Sequence, residues 1–289
     1  MIMLSFIDTI VQGVLLGGLY ALFALGQSLL FGVMRLTNTA HGDFIILAAF
    51  AAWSLTLVTG SPWTALLILL PLAFAAGYAL QRFVLNGTLG KDPLPSLVVT
   101  FGLAIVIQNA LQQVYTADPR SIESGGLNTA SLQLAEGLSV GVLPVLIFAA
   151  AVALAAALQL LFDRTDIGRA FRAVSDDREA AELMGLDHRH VYALATGIAF
   201  VLVAVAGTLQ GMKTTVSASD GPALLLYAFE AVIIGGMGSF YGTLAGGVIL
   251  GITQDIGFRI DPGWGIWSGH VAFLAMLLLR PSGLFPRTR

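Results

Sequence analysis

The sequence predicts an all-α polytopic transmembrane bundle of about eight to nine membrane segments, and its composition, its long apolar runs and the distribution of its basic residues predict it. Of 289 residues, 57% are hydrophobic and 11% charged, with a mean hydropathy of +0.86. Soluble domains carry roughly a quarter charged residues. A net charge of −3 argues against a nucleic-acid partner, because phosphate binding would need a strongly basic surface. The absence of cysteine excludes a disulfide framework, a thiol nucleophile and Cys-ligated metal.

Apolar runs long enough to cross roughly 30 Å of hydrocarbon as helix occupy 10–33, 63–80, 97–114, 140–162, 191–212 and 240–258. The first is expected to remain uncleaved, because residues 1–8 lack the Lys or Arg of a signal peptide. Three shorter runs, 44–58, 224–234 and 266–279, read as tilted, broken or re-entrant helices. If all nine cross, one side carries eleven basic residues: Arg35, Arg82, Lys91, Arg164, Arg169, Arg172, Arg178, Arg189, Arg280, Arg287 and Arg289. The other carries three, Arg120, Lys213 and Arg259. Basic loops stay in the cytoplasm, so the N-terminus is expected outside and the C-terminus in the cytoplasm.

Segment 116–139 is acidic, contains glycine and has no clear period, so it reads as an outer surface loop. No GxxxxGK[ST] stretch is present, so nucleotide is not expected to bind here by P-loop geometry. Gly13 with Gly17, Gly207 with Gly211, Gly238 with Gly242 and Gly246, and Gly247 with Gly251 recur every four residues. Each set shares one helix face and predicts close helix packing, which in lipid replaces the hydrophobic effect as the cohesive force. The cluster Gly235, Gly236, Gly238, Ser239 and Gly242 breaks the helix pattern, as a cavity-lining inner gate or as a tight turn between spans.

Residues 163–190 form the largest inner segment and read as a docking element. Ser175 or Asp176 is expected to cap a short helix, Asp177 and Glu179 suit its positive end, and Gly185 stops it. Ala180, Ala181, Leu183 and Met184 supply small and apolar contact positions that an isolated solvated loop would not need. The arginines alone also suit contact with anionic membrane lipid.

The run GRAFRAVSDDREAAELMGLD resembles the coupling segment of branched-chain amino acid ABC transporter permeases, the Liv family. TNTAHGDF at 37–44, IIGGMGSFYGTLAGG at 233–247 and RPSGLFP at 280–286 agree with it, in order over nearly the whole chain. Thr39 and Pro286 stand where that family often has Phe and Gly. Length favours a LivH-like subunit over the longer LivM-like one. The resemblance implies one permease domain over 1–289, working with a LivM-like second permease, two cytoplasmic ATPase subunits that hold ATP and Mg, and a periplasmic solute-binding protein. It implies no cofactor in this chain and no enzymatic step. It also points to Arg169, Arg172, Asp176, Glu179, Ala180, Ala181, Leu183, Met184 and Gly185 as the ATPase contact.

Polar residues at membrane depth are the candidates for the path. Glu230 lies in an apolar run, where a charge costs about 3 kcal/mol. It either lines the cavity or serves as a structural acid. Gln27, Gln108, Asn109 and Gln112 are amides for the cavity or for interhelical bonds. Asn38 and His41 lie at the mouth of a short helix that Asp43 is expected to cap, and this trio is short of a metal ligand set. His270 reads as structural. The rival functions are a proton-coupled secondary transporter with Glu230 as carrier, and a channel for small polar solutes such as urea or amides.

Overall fold

The computed structural model describes residues 2–89, 94–135 and 138–285. Lys91, Pro286, Arg287 and Arg289 lie outside them. The helices are α1 (Ile2–Met34), α2 (His41–Thr59), α3 (Pro62–Phe83), α4 (Leu94–Tyr115), α5 (Val142–Arg164), α6 (Asp166–Asp176), α7 (Arg178–Leu183), α8 (His188–Lys213), α9 (Gly221–Gly235), α10 (Phe240–Ile260) and α11 (Gly265–Leu279). Among the described residues, seven helices are long and apolar enough to cross a membrane, and α9 and α10, bent by 117° across 236–239, pass that test as a pair, the geometry of a broken span or a re-entrant loop. The chain is therefore the expected all-α membrane bundle with some segments short or broken.

Segment 116–139 is not wholly irregular. Its end forms an antiparallel hairpin of β1 (Ser131–Ala135) and β2 (Leu138–Gly141), with a bulge between Gln133 and Ala135. Before the hairpin, Arg120 and Val216 exchange backbone hydrogen bonds of 2.9 and 2.7 Å, which tie this loop to the end of α8.

α1 and α8 form the centre, where Ala21, Leu25, Ala195, Ala199 and Ala206 are fully buried. α3, α4 and α11 lie outside and expose apolar side chains such as Phe101, Val106 and Leu278, as a lipid-facing surface requires. The four-residue glycine rows meet as expected. A Cβ on Gly13 would stand 2.7 Å from Ile252 Cα, and one on Gly247 would stand 2.6 Å from Gly17 O, so α1 and α10 run antiparallel with their backbones touching.

The same contacts sort the basic residues. Arg82 at the end of α3 pairs with Asp187 before α8, and Ser175 of α6 donates to Gly32 O near the end of α1. Arg259 at the end of α10 donates instead to Thr9 near the start of α1. Arg82, Arg164, Arg169, Arg172, Arg178 and Arg189 thus share one face, opposite Arg120, Lys213 and Arg259.

Two helices begin inside the bundle. After Met34, the six-residue segment 35–40 turns back so that His41 Nε2 lies 2.7 Å from Phe23 O, and Phe23 precedes the end of α1 by about 16 Å of helix. α2 starts there. α9 starts against it, with Gly42 and Gly221 in direct backbone contact. Two of the three short runs read from the sequence, 44–58 and 224–234, thus belong to helices whose N-terminal ends converge inside the bundle.

Candidate functional site

The inner segment folds as two helices instead of one. Thr165 caps α6, its Oγ1 accepting from Gly168 N at 3.0 Å, and Asp177 caps α7, its Oδ1 accepting from Ala180 N at 3.0 Å. The expected cap at Ser175 or Asp176 is corrected: Ser175 Oγ donates to Gly32 O at 2.9 Å, and Asp176 ends α6. Asp177 takes the role because its backbone is extended (φ −148°, ψ 107°), whereas those two residues are still helical. Gly185 follows α7 with φ +88°, the left-handed conformation that stops a helix.

α6 is fixed to the bundle by Phe171, fully buried against Phe162, and by the Arg172 guanidinium, which donates to Phe162 O. Arg169 pairs with Asp166 on the exposed side. On α7, Ala180 and Glu179 are exposed and Ala181 turns inward at 5% exposure. Leu183 and Met184 project at 89% and 84% exposure, beside Gly185. Two large apolar side chains stand exposed among charged residues, the kind of patch that marks contact with a protein or a membrane surface.

Beside α7 lies an open polar cavity of about 570 Å³ lined by Arg82, Arg178, Glu182, Asp187, His188 and Arg189, among others. Asp187 caps α8. Desolvation, the largest single influence, raises its pKa, but hydrogen bonds from Arg82 and from the N–H groups of Arg189 and His190, with the charge of Arg82, together outweigh it and hold the carboxyl below the usual range.

Within the bundle, Glu230 is 1% exposed and its Oε1 lies 2.5 Å from Nδ1 of His270 on α11. Tyr227 stacks on His270 and on Tyr20, and Tyr20 donates to Gln254 at 2.5 Å. Glu230 Oε2 and Gln254 Nε2 are buried without partners. The sequence singled out Glu230 and His270 separately, but their pairing joins residues forty apart and carries no local signal.

Asp43 does not cap α2: it lies in the first turn and accepts from Gln108 Nε2 of α4 at 2.8 Å. Asn38 Oδ1 accepts from Ala40 N at 3.0 Å, with its Nδ2 unpartnered, and Gln27 is buried with neither amide atom paired. Asn109 and Gln112 point outward from α4.

The glycine-rich turn is closely packed. Gly235 and Gly242 touch through their backbones, Ser239 Oγ accepts from Gly242 N at 3.1 Å, and Gly236 lies against Gly283. Leu284 N and Phe285 N donate to Ile234 O and Gly235 O at 2.9 and 3.0 Å, so the C-terminal segment satisfies the last carbonyls of α9. Gly238, at φ +82°, completes the turn.

Helices that begin and meet inside a multi-pass apolar bundle fit a membrane transport permease. The sequence profile of the family described as branched-chain amino acid transport system / permease component matches residues 9–279, and the chain belongs to this family. It is thus a permease of the ABC-importer type. Over 98% of its length it is 28% identical to the high-affinity branched-chain amino acid transport system permease protein BraD of Pseudomonas aeruginosa, covering 96% of that protein. It is 25% identical to LivH of Escherichia coli K12, with 98% and 96% covered. Against LivM of the same organism it is 27% identical over 94% of this chain, covering 68% of the relative. The solved structure of PsaBC from Streptococcus pneumoniae in complex with Fab shares the fold, with a TM-score of 0.50, 13% identity, and 99% and 97% of the chains covered.

Proposed function

We propose that this chain is the LivH-like permease subunit of an importer for branched-chain amino acids. The full-length likeness to BraD and LivH carries the reading. A LivM-like permease pairs with it, consistent with its similarity to LivM itself, and a periplasmic binding protein delivers the solute to the outer mouth. Two cytoplasmic ATPases hold ATP and Mg and grip the 163–190 segment through Glu179, Ala180, Leu183 and Met184, with Arg169, Arg172, Asp176 and Gly185 shaping the edge around them. Ala181, turned inward, seats α7 on the bundle.

The path runs past the converging starts of α2 and α9, with Asn38 and His41 on one arm and Glu230 on the other. The packed turn of Gly235, Gly236, Gly238 and Ser239 acts as the inner gate, closed here by the C-terminal segment. Helix starts carry partial positive charge and attract the carboxylate of an amino acid.

Reconstituted with both ATPases, the second permease and the binding protein, the chain is expected to take up leucine only with ATP. Uptake in vesicles without the ATPases would sink the reading. The rival proton-coupled mechanism makes Glu230 the carrier, but its Oε1 is held by His270 within the bundle. Glu230→Gln is therefore expected to leave the pH profile of uptake unchanged, and loss of its pH dependence would restore the rival.

In the proposed orientation the N-terminus is outside. The chain contains no cysteine, so single replacements report sidedness directly. Glu123→Cys in the loop beside the end of α8 is expected to react with an impermeant maleimide in intact spheroplasts, and Glu179→Cys only after permeabilisation. The reverse pattern would invert the topology.

A further inference from the structure

The segment between α5 and α8 divides its anchorage between two parts of the bundle. α6 rests on α1 and α5, through Ser175 to Gly32 and Phe171 to Phe162. Asp177, in extended conformation, separates it from α7. α7 makes its side-chain bond elsewhere: Glu182 Oε1 receives Arg178 Nε at 3.1 Å from its own helix and His188 Nδ1 of α8 at 2.5 Å. A carboxylate can only accept, so Nδ1 of His188 donates. His188 is held in place edge-on to Tyr192, and its side chain is 11% exposed.

The next residue, Asp187, caps α8 and receives Arg82 of α3 at 3.1 Å. Beyond it the start of α8 is joined to α3 by Tyr78 to His190 at 2.7 Å and by Gln81 to Thr196 at 2.9 Å. Two polar contacts, Glu182 with His188 and Asp187 with Arg82, thus flank the peptide bond between residues 187 and 188 and tie the exposed edge of α7 to the α3 and α8 pair. α8 packs on α2 at Gly207, and α2 begins where it meets the start of α9.

We propose that Glu182, through His188, is the positioning residue that carries the movement of α7 into α8 and α3. The Glu182 side chain is half-exposed and lies behind the Leu183 and Met184 edge, so it transmits the load without making the docking contact. This rests on the importer reading above, with the ATPases seated on α7.

The test uses the complete assembly in proteoliposomes and reads ATPase co-purification, ATP hydrolysis and leucine uptake together. Glu182→Ala is expected to retain the ATPases and their hydrolysis while uptake per ATP falls about tenfold. His188→Ala should do the same, the double replacement should be no worse than either single one, and Glu182→Gln, which keeps an acceptor for Nδ1, should recover most of the uptake. An unchanged uptake-to-ATP ratio in Glu182→Ala, or additive losses in the double variant, would overturn the proposal. Loss of folding or of ATPase association in both alanine variants would overturn it too, by assigning the pair to stability or docking. An unsubstituted assembly without ATP-driven uptake would instead remove the importer reading, a distinct failure.

Discussion

Gly17→Leu and Gly251→Leu are each expected to eliminate most of the folded, monodisperse protein from detergent extracts, while Gly102→Leu leaves the yield unchanged. Gly17 and Gly251 lie where α1 and α10 cross, and Cβ atoms there would meet backbone of the facing helix. The side chain of a flexible neighbour could swing away, but a helix backbone cannot. Overpacking of a soluble core costs about 1–3 kcal/mol. Here the strain falls on a helix crossing that lipid does not press together, so separation of the helices forfeits the dispersion contacts that hold them. α1 is also the central element, so its displacement disturbs α5, α8 and α9 together. Gly102 provides the control because a Cβ there meets nothing within 4 Å. Size-exclusion profiles of the three variants check the prediction, and wild-type yield for Gly17→Leu would contradict the packing argument.

The features that the sequence disclosed are those written in local spacing. Long apolar runs set the spans, glycines four apart set the α1 and α10 contact, and the Gly235 to Gly242 cluster marked the sharp bend between α9 and α10. Short runs at 44–58 and 224–234 signalled tilted, broken or re-entrant helices, although not that their N-termini meet, since that depends on the six residues 35–40 folding back along α1. Pairings over long separations left no trace. Glu230 and His270 each stood out, yet nothing in spacing joined them, and Glu182 with His188 was hidden inside a segment read as a docking element without any internal pairing. The misplaced cap had a readable cause. Thr165 followed by Gly168 and Asp177 followed by Ala180 both fit a capping pattern, and two caps ten or so residues apart imply two helices instead of one. The short hairpin at 131–141 escaped because only a few alternating residues encode it.

Leu183→Ser together with Met184→Ser is expected to weaken association with the ATPases by about 100-fold or more, as burial of each side chain is worth about 1.5–3 kcal/mol. Both side chains are more than four-fifths exposed in the isolated chain, so nearly all of that burial is available to a partner. The substitution leaves the fold of α7 intact. Its cap, Asp177 Oδ1 to Ala180 N, is untouched, Ala181 still faces the bundle, and the backbone bond from Leu186 N to Ala181 O at 3.0 Å closes the helix without either side chain. Membrane insertion and the yield of the chain should therefore match wild type, in contrast to the glycine variants. Uptake should fall in step with association, whereas the Glu182 variant loses uptake while association persists. Co-purification of the ATPases at wild-type levels by the double-serine variant would mean that this apolar edge faces lipid instead, since a helix on the membrane surface buries such side chains at the headgroup boundary. Association would then have to rest on the charged residues of α6, and Arg169 and Arg172 would become the residues to replace.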